Sequence, residues 1–404
     1  MSGQQFDIAI AGGGLIGPAL ALACAGAGFR TAVIDPAPAA ERGAPEFDGR
    51  AYAVAPASAR LLERIGVWAQ GAPHAQPIAR IAVGEGAGSP ELLHFDPGAV
   101  GADRLGHIVE DRHLRGALLD RLAPAGVAHL SPASVREVVY GPGQARLALS
   151  DGGRISAALT VAADGRRSRL AAEAGIGRIG WPYRQTGLVN AIAHERPHEG
   201  LAHQSFFPGG PFAVLPLTGN RCSIIWSEAA RRAEAIGRLD DAAFAAELRA
   251  RIGDRLGAVE LIGKRWAYPL DLTLADRYCA PRLALVGDAA HGVHPIAGQG
   301  MNMGLRDVAA LAEVITEAAR IGEDIGAEAV LERYQIWRRF DATGFALGMD
   351  ALNRLFSNDV GPLSVLRRAG LHLVDRMPGL PGALIREAAG EAGTVPRLLR
   401  GEAL

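Results

Sequence analysis

The sequence predicts an α/β protein in which a Rossmann-like nucleotide-binding domain carries an inserted antiparallel sheet and is followed by a C-terminal helical segment. Three patterns favour this fold class. Short apolar runs end in Gly-rich turns near residues 12 and 287, alternating segments recur between about 175 and 270, and apolar residues at helical spacing follow residue 355. At 404 residues the chain is also longer than one hydrophobic core usually supports, so more than one domain is expected.

Composition narrows the classes of protein to consider. The formal net charge of −1 provides no global field that would attract nucleic acid or an anionic membrane. Cys24, Cys222 and Cys279 are far apart in the sequence, which argues against both a disulfide framework and a zinc site. No apolar stretch approaches the roughly 20 residues of a membrane span. We therefore expect a cytoplasmic protein whose contact with the inner membrane is at most peripheral.

The first Gly-rich turn has the features of a dinucleotide site. An apolar strand at 6–11 runs into the pattern G-x-G-x-x-G at 12–17, a helix follows, and a second strand at 31–34 ends in Asp35. In such a unit the glycines let a pyrophosphate approach the backbone, and the acid binds a ribose hydroxyl. An acid at this place favours FAD or NAD over a nucleotide with a 2′-phosphate. The predicted contacts are Gly12, Gly14, Leu15, Ile16, Gly17 and Asp35.

A second Gly-rich segment follows another apolar strand at 282–286. It begins with Gly287 and Asp288, passes Pro295, and leads into a helix predicted for 303–320. The strand would deliver the Asp288 carboxylate to a ligand, and the helix N-terminus would stabilise an anion. Reduced flavin, with its negative charge around N1 and O2, suits that position.

This second segment resembles a motif of the ubiquinone-biosynthesis FAD-dependent hydroxylases, a branch of the class A flavoprotein aromatic monooxygenases. The matching string is His-Pro-x-Ala-Gly-Gln-Gly-x-Asn-x-Gly at 294–304. The resemblance implies that Asp288 contacts the ribityl chain of FAD. It also implies that the Pro295 backbone lies at the face where flavin meets substrate. The cofactor contacts implied for this segment are Gly287, Asp288, Pro295, Gly298, Gly300, Met301 and Asn302.

The resemblance further implies the p-hydroxybenzoate hydroxylase fold, in which the cofactor domain is interrupted. The expected FAD-binding domain comprises 1–72, 100–175 and 275–355. The expected substrate domain, built on the antiparallel sheet, comprises 73–99 and 176–274, and a helical segment covers 356–404.

Four more cofactor contacts are implied by the same family. Arg50 would reach the flavin or the phosphates, and Arg112 would lie near the pyrophosphate. The backbone of Val135 would meet adenine, and Asp164 would support both FAD and NAD(P)H. A solvated Arg at a helix entrance and a plain Asp-Gly turn are the alternatives for Arg50 and Asp164. From its position before a helical run, Asp111 is expected to cap that helix.

The family pattern is not complete at the Asp-Gly motif. The Arg that usually follows it is replaced by Ala171, with Arg169 nearby, so no contact with the pyridine nucleotide is assigned.

Aromatic residues cluster in the predicted antiparallel sheet and could form one wall of a substrate cavity. Phe206, Phe212 and Trp226 are the candidates for contact with substrate. Ordinary packing within the sheet is the alternative for any of these aromatic residues.

The C-terminal part of the chain resembles the ubiquinone branch rather than hydroxylases of small free acids. The resemblance rests on 355–359 and on Arg368, Gly370 and Leu371. Apolar residues at helical spacing (Leu363, Leu366, Leu371, Val374 and Leu380) allow either a helix folded on the core or a patch that faces a membrane or a partner.

The chemistry implied by the resemblance belongs to the cofactor. NAD(P)H reduces FAD, O2 adds at C4a, and the resulting hydroperoxide hydroxylates a polyprenyl phenol. The alternatives are a flavin hydroxylase of a small aromatic acid and a catalytically silent FAD-binding assembly subunit. A long apolar cavity would favour the polyprenyl phenol, and a short pocket with an Arg would favour the acid. No metal site is predicted, since His291 and His294 lack ligand partners on the same short element.

Overall fold

The computed structural model describes residues 4–44, 46–87, 91–358, 377 and 379–404. The strands are β1 Gln4–Ala11, β2 Thr31–Ile34, β3 Ala51–Val54, β4 Gln76–Pro77, β5 Arg80–Glu85, β6 Glu91–Phe95, β7 His107–Glu110, β8 Ala128–Leu130, β9 Val135–Tyr140, β10 Ala145–Leu149, β11 Arg154–Ala162, β12 Arg178–His194, β13 Leu201–Phe207, β14 Gly210–Leu217, β15 Arg221–Ala229, β16 Val259–Ala275, β17 Cys279–Ala280, β18 Leu283–Leu285 and β19 His291–Gly292.

The helices are α1 Ile16–Gly26, α2 Ala39–Arg42, α3 Pro56–Arg64, α4 Trp68–Gly71, α5 Asp111–Leu122, α6 Arg169–Glu173, α7 Ala230–Gly237, α8 Asp241–Ile252, α9 Gly300–Arg320, α10 Glu328–Phe356, α11 Leu380–Ala389 and α12 Arg397–Arg400.

The first sheet is mainly parallel, and β1 lies at its centre. Its strand order is β17-β18-β11-β1-β2-β8, and the β9–β10 hairpin extends it from β11. β1 pairs in parallel with β11 on one side and with β2 on the other. Because parallel strands end at a common edge, the residues that follow β1, β2, β11 and β18 meet there. That edge therefore carries both Gly-rich turns and the Asp-Gly motif.

The second sheet is mainly antiparallel, as the alternating pattern predicts. Its strand order is β19-β16-β12-β15-β14-β13-β5-β6, with one parallel pair between β13 and β5. One face of this sheet packs under α7 and α8 around Phe212, Trp226 and Phe244. The opposite face meets a small sheet of order β3-β7-β4 through Ile108, Ala191 and Leu217.

Helices α1 and α9 cover the first sheet and lie in one apolar core with β1 and β11. Helix α1 is mostly buried and apolar around most of its circumference, whereas α9 has an apolar stripe and also buries Arg306 and Asp307. The fold class is therefore confirmed: a Rossmann-like cofactor unit is combined with an antiparallel sheet and C-terminal helices. Among the described residues, no helix has both the length and the hydropathy needed to cross a bilayer.

Two local expectations need correction or restriction. Helix α5 begins at Asp111 with Glu110 at the N-cap, and Asp111 does not cap it, because its carboxylate accepts hydrogen bonds from Arg115 instead. In the C-terminal segment Asp359, Leu363, Leu366, Arg368, Gly370, Leu371 and Val374 lie outside the described residues.

Candidate cofactor and substrate site

The first Gly-rich turn is shaped for a pyrophosphate. A Cβ atom on Gly12, whose φ is +123°, would lie 2.2 Å from the carbonyl oxygen of Ala163, and one on Gly17 would lie 1.9 Å from the carbonyl oxygen of Gly12. Only glycine fits these two close approaches. A Cβ on Gly14, in contrast, would have no other atom within 4 Å. The turn is thus tight against β11 and open at Gly14, where Leu15 and Ile16 begin α1 and its N-terminal amides are available to an anion.

Asp35 lies directly over this turn at the end of β2. Its carboxylate is fully buried and accepts hydrogen bonds from Arg42 at 2.7 and 2.9 Å and from the amide of Ala37 at 3.2 Å. A Cβ on Gly13 would lie 2.1 Å from Asp35 Oδ2. The acid is therefore beside the turn, as a ribose ligand must be. The sequence did not predict that Arg42 would bind Asp35. An Arg seven residues after the acid, in the short helix α2, is the feature that could have indicated this pair.

The Asp-Gly motif and the second Gly-rich segment meet through Arg166. Arg166 donates to Asp288 at 3.1 Å, to Asp271 at 2.5 Å and to the carbonyl oxygen of Val293 at 3.1 Å. Burial lowers the pKa of Arg166, but Asp288 and Asp271 outweigh it and raise the pKa overall. The Asp288 carboxylate remains half exposed. Asp164 accepts the backbone amide of Arg169 at 3.0 Å, which fixes the preceding turn.

A buried ion cluster holds the turn that presents Asp288. Asp307 on α9 accepts hydrogen bonds from the amide of Gly287 at 2.8 Å, from His291 Nε2 at 2.6 Å and from Arg338 Nε at 2.8 Å. Burial would raise the pKa of Asp307, yet His291 and Arg338 lower it below its usual range. The ionised carboxylate thus ties the Gly287 turn to α9 and α10.

The two histidines of the second motif are engaged in protein contacts. His291 donates to Asp307, while His294 Nε2 lies 3.3 Å from Gln185 Oε1, which also accepts from Asn353 Nδ2 at 3.0 Å. Within the described ranges, no group of three or more His, Cys, Asp or Glu side chains could hold a metal ion.

The start of α9 is joined to β3 by Asn302. Its Nδ2 donates to the carbonyl oxygen of Ala53 at 2.9 Å, and its Oδ1 accepts the amide of Ala55 at 3.0 Å. Helix α9 begins at Gly300, earlier than the sequence predicts, and a Cβ on Gly300 would meet no atom within 4 Å. Met301 is buried behind it. The helix N-terminus therefore has open amides that suit an anionic group.

A cavity of about 110 Å³ lies between this helix start and the antiparallel sheet. Pro295 and Gly298 of the second Gly-rich segment line one side of it. Gly298 has a positive φ of +63°, and a Cβ added there would lie only 3.0 Å from the Cβ of Ala53. The remaining walls are mostly apolar, and the described residues that line the cavity include no Arg, Lys, Asp or Glu. Its main apolar members are Val54, Ile78, Ile81, Leu105, Ile108, Ala213, Leu215, Ile225 and Ala388.

The model of the FAD binding domain family matches residues 5–344. The chain belongs to this family. Ubiquinone hydroxylase UbiL of Rhodospirillum rubrum is 45% identical over 399 residues, covering 98% of this chain and 92% of the relative. The 3-demethoxyubiquinol 3-hydroxylase of Escherichia coli is 36% identical, covering 96% of this chain and 100% of the relative. The family assignment confirms FAD as the cofactor that the sequence predicts.

Solved structures show the same fold at lower identity. The p-nitrophenol 4-monooxygenase PnpA from Pseudomonas putida aligns with a TM-score of 0.80 at 18% identity, covering 96% of this chain and 100% of that one. PqsL of P. aeruginosa in complex with 2-aminobenzoylacetate aligns with a TM-score of 0.78 at 24% identity, covering 91% and 99%. The fold is that of FAD-binding aromatic hydroxylases, as expected.

Within this family fold, the other predicted cofactor residues have protein partners in the structure. Arg50 pairs with Asp48 at 2.7 Å and Asp111 at 3.3 Å, and it lies over the ring of Trp266 at 5.0 Å. Arg112 donates to Glu110 at 2.8 Å.

Val135 begins β9, and its carbonyl oxygen accepts from Arg169. Arg169 is the residue near Ala171 in the incomplete Asp-Gly motif. It therefore contacts β9, whose Val135 backbone is predicted to meet adenine. The roles of Arg50, Arg112, Val135 and Asp164 in FAD binding stay predictions.

The structure does not support two of the three aromatic candidates as cavity walls. Phe212 and Trp226 pack edge to face at 5.9 Å in the core under α7 and α8. Their strand neighbours Ala213 and Ile225 line the cavity instead, because successive side chains of a strand point to opposite faces. Phe206 stacks on Phe356 of α10 at 4.3 Å.

The sequence pattern of β14 alone could not choose between its two faces, since both carry apolar residues. On β15 the alternation of Cys222, Ile224 and Trp226 favours the face under α7 and α8, and the packing of those helices decides the core face of both strands. Ala213, Ile225 and the neighbouring Gln204 were therefore missed as cavity residues.

Proposed function

We propose that this protein is a FAD-dependent monooxygenase that hydroxylates the aromatic ring of a polyprenyl phenol in ubiquinone biosynthesis. NAD(P)H is the electron donor and O2 the oxygen source. The relatives named as ubiquinone hydroxylases span nearly the whole chain and support the reaction and the pathway.

The character of the cavity carries the choice of substrate. Its lining is dominated by aliphatic side chains and, in the part of the chain that the structure describes, includes neither Arg nor Lys to pair with a carboxylate. A small aromatic acid would lose its hydration there without gaining a charged partner, whereas a prenyl tail gains about 25 cal/mol per Å² of apolar surface that it buries. The lining therefore favours an uncharged ring over an acid, and the ubiquinone hydroxylases among the relatives support a lipid tail on that ring.

The residues present fit FAD. Gly12 and Gly17 allow the tight turn, Gly14 leaves it open, Asp35 lies where a ribose hydroxyl would bind, and Asp288 presents a half-exposed carboxylate. When bound, FAD supplies the redox chemistry of the hydroxylation.

The chain's own residues hold the reactants and exclude water. Pro295 and the α9 N-terminus form the cofactor side of the cavity, and Ile225 and Leu215 form the opposite apolar wall.

A prenyl-length series tests this proposal. The FAD-loaded enzyme is given a phenol without a tail and the same phenol with one, two and three isoprene units, and hydroxylated product is measured together with hydrogen peroxide. We expect kcat/KM and coupling to rise with tail length. Equal or better coupled hydroxylation of the tail-less phenol would reject the lipid substrate. Failure of NAD(P)H to bleach the flavin band near about 450 nm would instead favour a silent subunit.

We also propose that α10 and the C-terminal segment make the peripheral contact with a membrane or with biosynthetic partners. Phe340 and Ile336 are 87% and 72% exposed on α10, and Leu347 follows on the same side of the helix. Flotation with vesicles of E. coli lipids should decrease when Phe340 and Ile336 are both replaced by Ser. Unchanged flotation of this variant would contradict a role for α10.

A further inference from the structure

The wall of the cavity includes the side chain of Gln204, which makes no hydrogen bond to another described residue of the protein. On β13 Gln204 lies opposite Ala213 of β14, which in turn lies opposite Ile225 of β15. All three line the cavity, so they form one row across the sheet. Gln204 is half-buried, and its amide has no hydrogen-bond partner among the described residues.

The other polar side chains of the cavity are already engaged. Both side-chain atoms of Asn302 are bonded to the β3 backbone, and Gln299 has an interaction of its own. His203 pairs with Val214, which packs under α7 and α8, so its side chain belongs to the opposite face of β13 from Gln204, and its Nδ1 lies 3.4 Å from Ser205 Oγ. Of this set, Gln204 remains available to a ligand.

An amide in an apolar wall has a definite chemical use. It offers two N–H donors and a carbonyl acceptor, so it can pair with a phenol hydroxyl, a methoxyl oxygen or a quinone carbonyl. Left unpaired when a ligand excludes water, it would weaken binding, so a ligand without a matching oxygen is disfavoured.

We propose that Gln204 is a specificity-determining residue that hydrogen-bonds an oxygen substituent on the substrate ring. The proposal rests on the proposed function, since it takes the ligand to be a prenylated phenol. The aliphatic residues around Gln204 contact the ring, and the amide selects rings that carry an oxygen in register with it.

A ligand series on the FAD-loaded protein tests this. Dissociation constants are measured by calorimetry for 2-geranyl-6-methoxyphenol, 2-geranylphenol and geranylbenzene, which lose one oxygen at each step. For the wild type, one of the two steps should weaken binding about tenfold, as expected for the loss of one hydrogen bond. In Gln204→Leu and Gln204→Met the same step should change affinity by less than twofold.

Ile225→Val is the matched control, because it removes a methyl group from the same row without changing its polarity. This variant should bind every ligand more weakly. The loss of the critical oxygen should still weaken its binding about tenfold, as in the wild type. If the steps in both Gln204 variants equal those of the wild type, the proposal is overturned. FAD content and melting temperature verify that the variants are folded.

Product analysis of the wild type separates this proposal from the proposed function. If the wild type does not hydroxylate 2-geranylphenol or its methoxy derivative, the proposed function fails whatever the binding steps show. If it does, and the Gln204 variants keep wild-type kcat/KM for both, only the role of Gln204 fails.

Discussion

Replacing Asp307 by Asn tests whether the buried ion cluster holds the second cofactor motif. The carboxylate accepts the Gly287 amide, His291 and Arg338, and both Asp307 and Arg338 are nearly inaccessible to solvent. Breaking a buried ion pair typically costs about 3–5 kcal/mol, because the remaining charge stays buried. Arg338 retains Asp341 as a partner, so we expect the lower end, about 3 kcal/mol.

The same substitution should weaken FAD binding, since Gly287 precedes Asp288 and the turn loses its anchor. Urea unfolding of the apoprotein gives the stability change, and fluorescence titration with FAD gives the affinity change. Asp341→Asn is the matched control, because it removes the more exposed partner of Arg338 and should cost under about 1 kcal/mol. A stability of Asp307→Asn within about 0.5 kcal/mol of the wild type would refute the cluster's structural role.

Further outcomes follow from the other groups of the site. Asp288→Ala should lose FAD while the far-UV circular dichroism and melting temperature of the apoprotein stay near wild type; unchanged affinity would remove Asp288 from the cofactor contacts. Asp35→Ala should weaken FAD binding by about 1–3 kcal/mol in the same titration, and no weakening would leave Asp35 only its structural partners, Arg42 and the amide of Ala37. Burial lowers the pKa of His294 to about 4, so the unfolded chain takes up its proton first as the pH falls below about 6.5. Above that pH the burial of His294 has no effect on stability, and the penalty grows as the pH falls toward about 4; His294→Gln should flatten the decline in urea-derived stability, and an identical slope would contradict the shift.

Local patterns predicted the cofactor half of the molecule well. Strand β2 has the predicted bounds, and the predicted helix after the first turn overlaps α1, because glycines, an acid and apolar runs act through neighbouring residues. Helix α9 begins at Gly300 rather than near Met303, since glycines in its first turn carry no apolar periodicity. Asp111 failed as a cap because Arg115, one turn later, competes for its carboxylate.

By itself, the sequence determined the fold class, the two Gly-rich turns and the acids that follow their strands. Those features depend on short stretches of backbone. Glycine sets the conformation of each turn, and the carboxyl end of each parallel strand sets the position of the residue that follows it. Tertiary structure alone decided which side of the antiparallel sheet lines the cavity beside Pro295. A strand with apolar residues on both faces has two equivalent ways to pack, and helices α7 and α8 occupy the face of Phe212 and Trp226. That choice leaves Gln204, Ala213 and Ile225 at the cavity, and no local pattern in β13 or β14 encodes it.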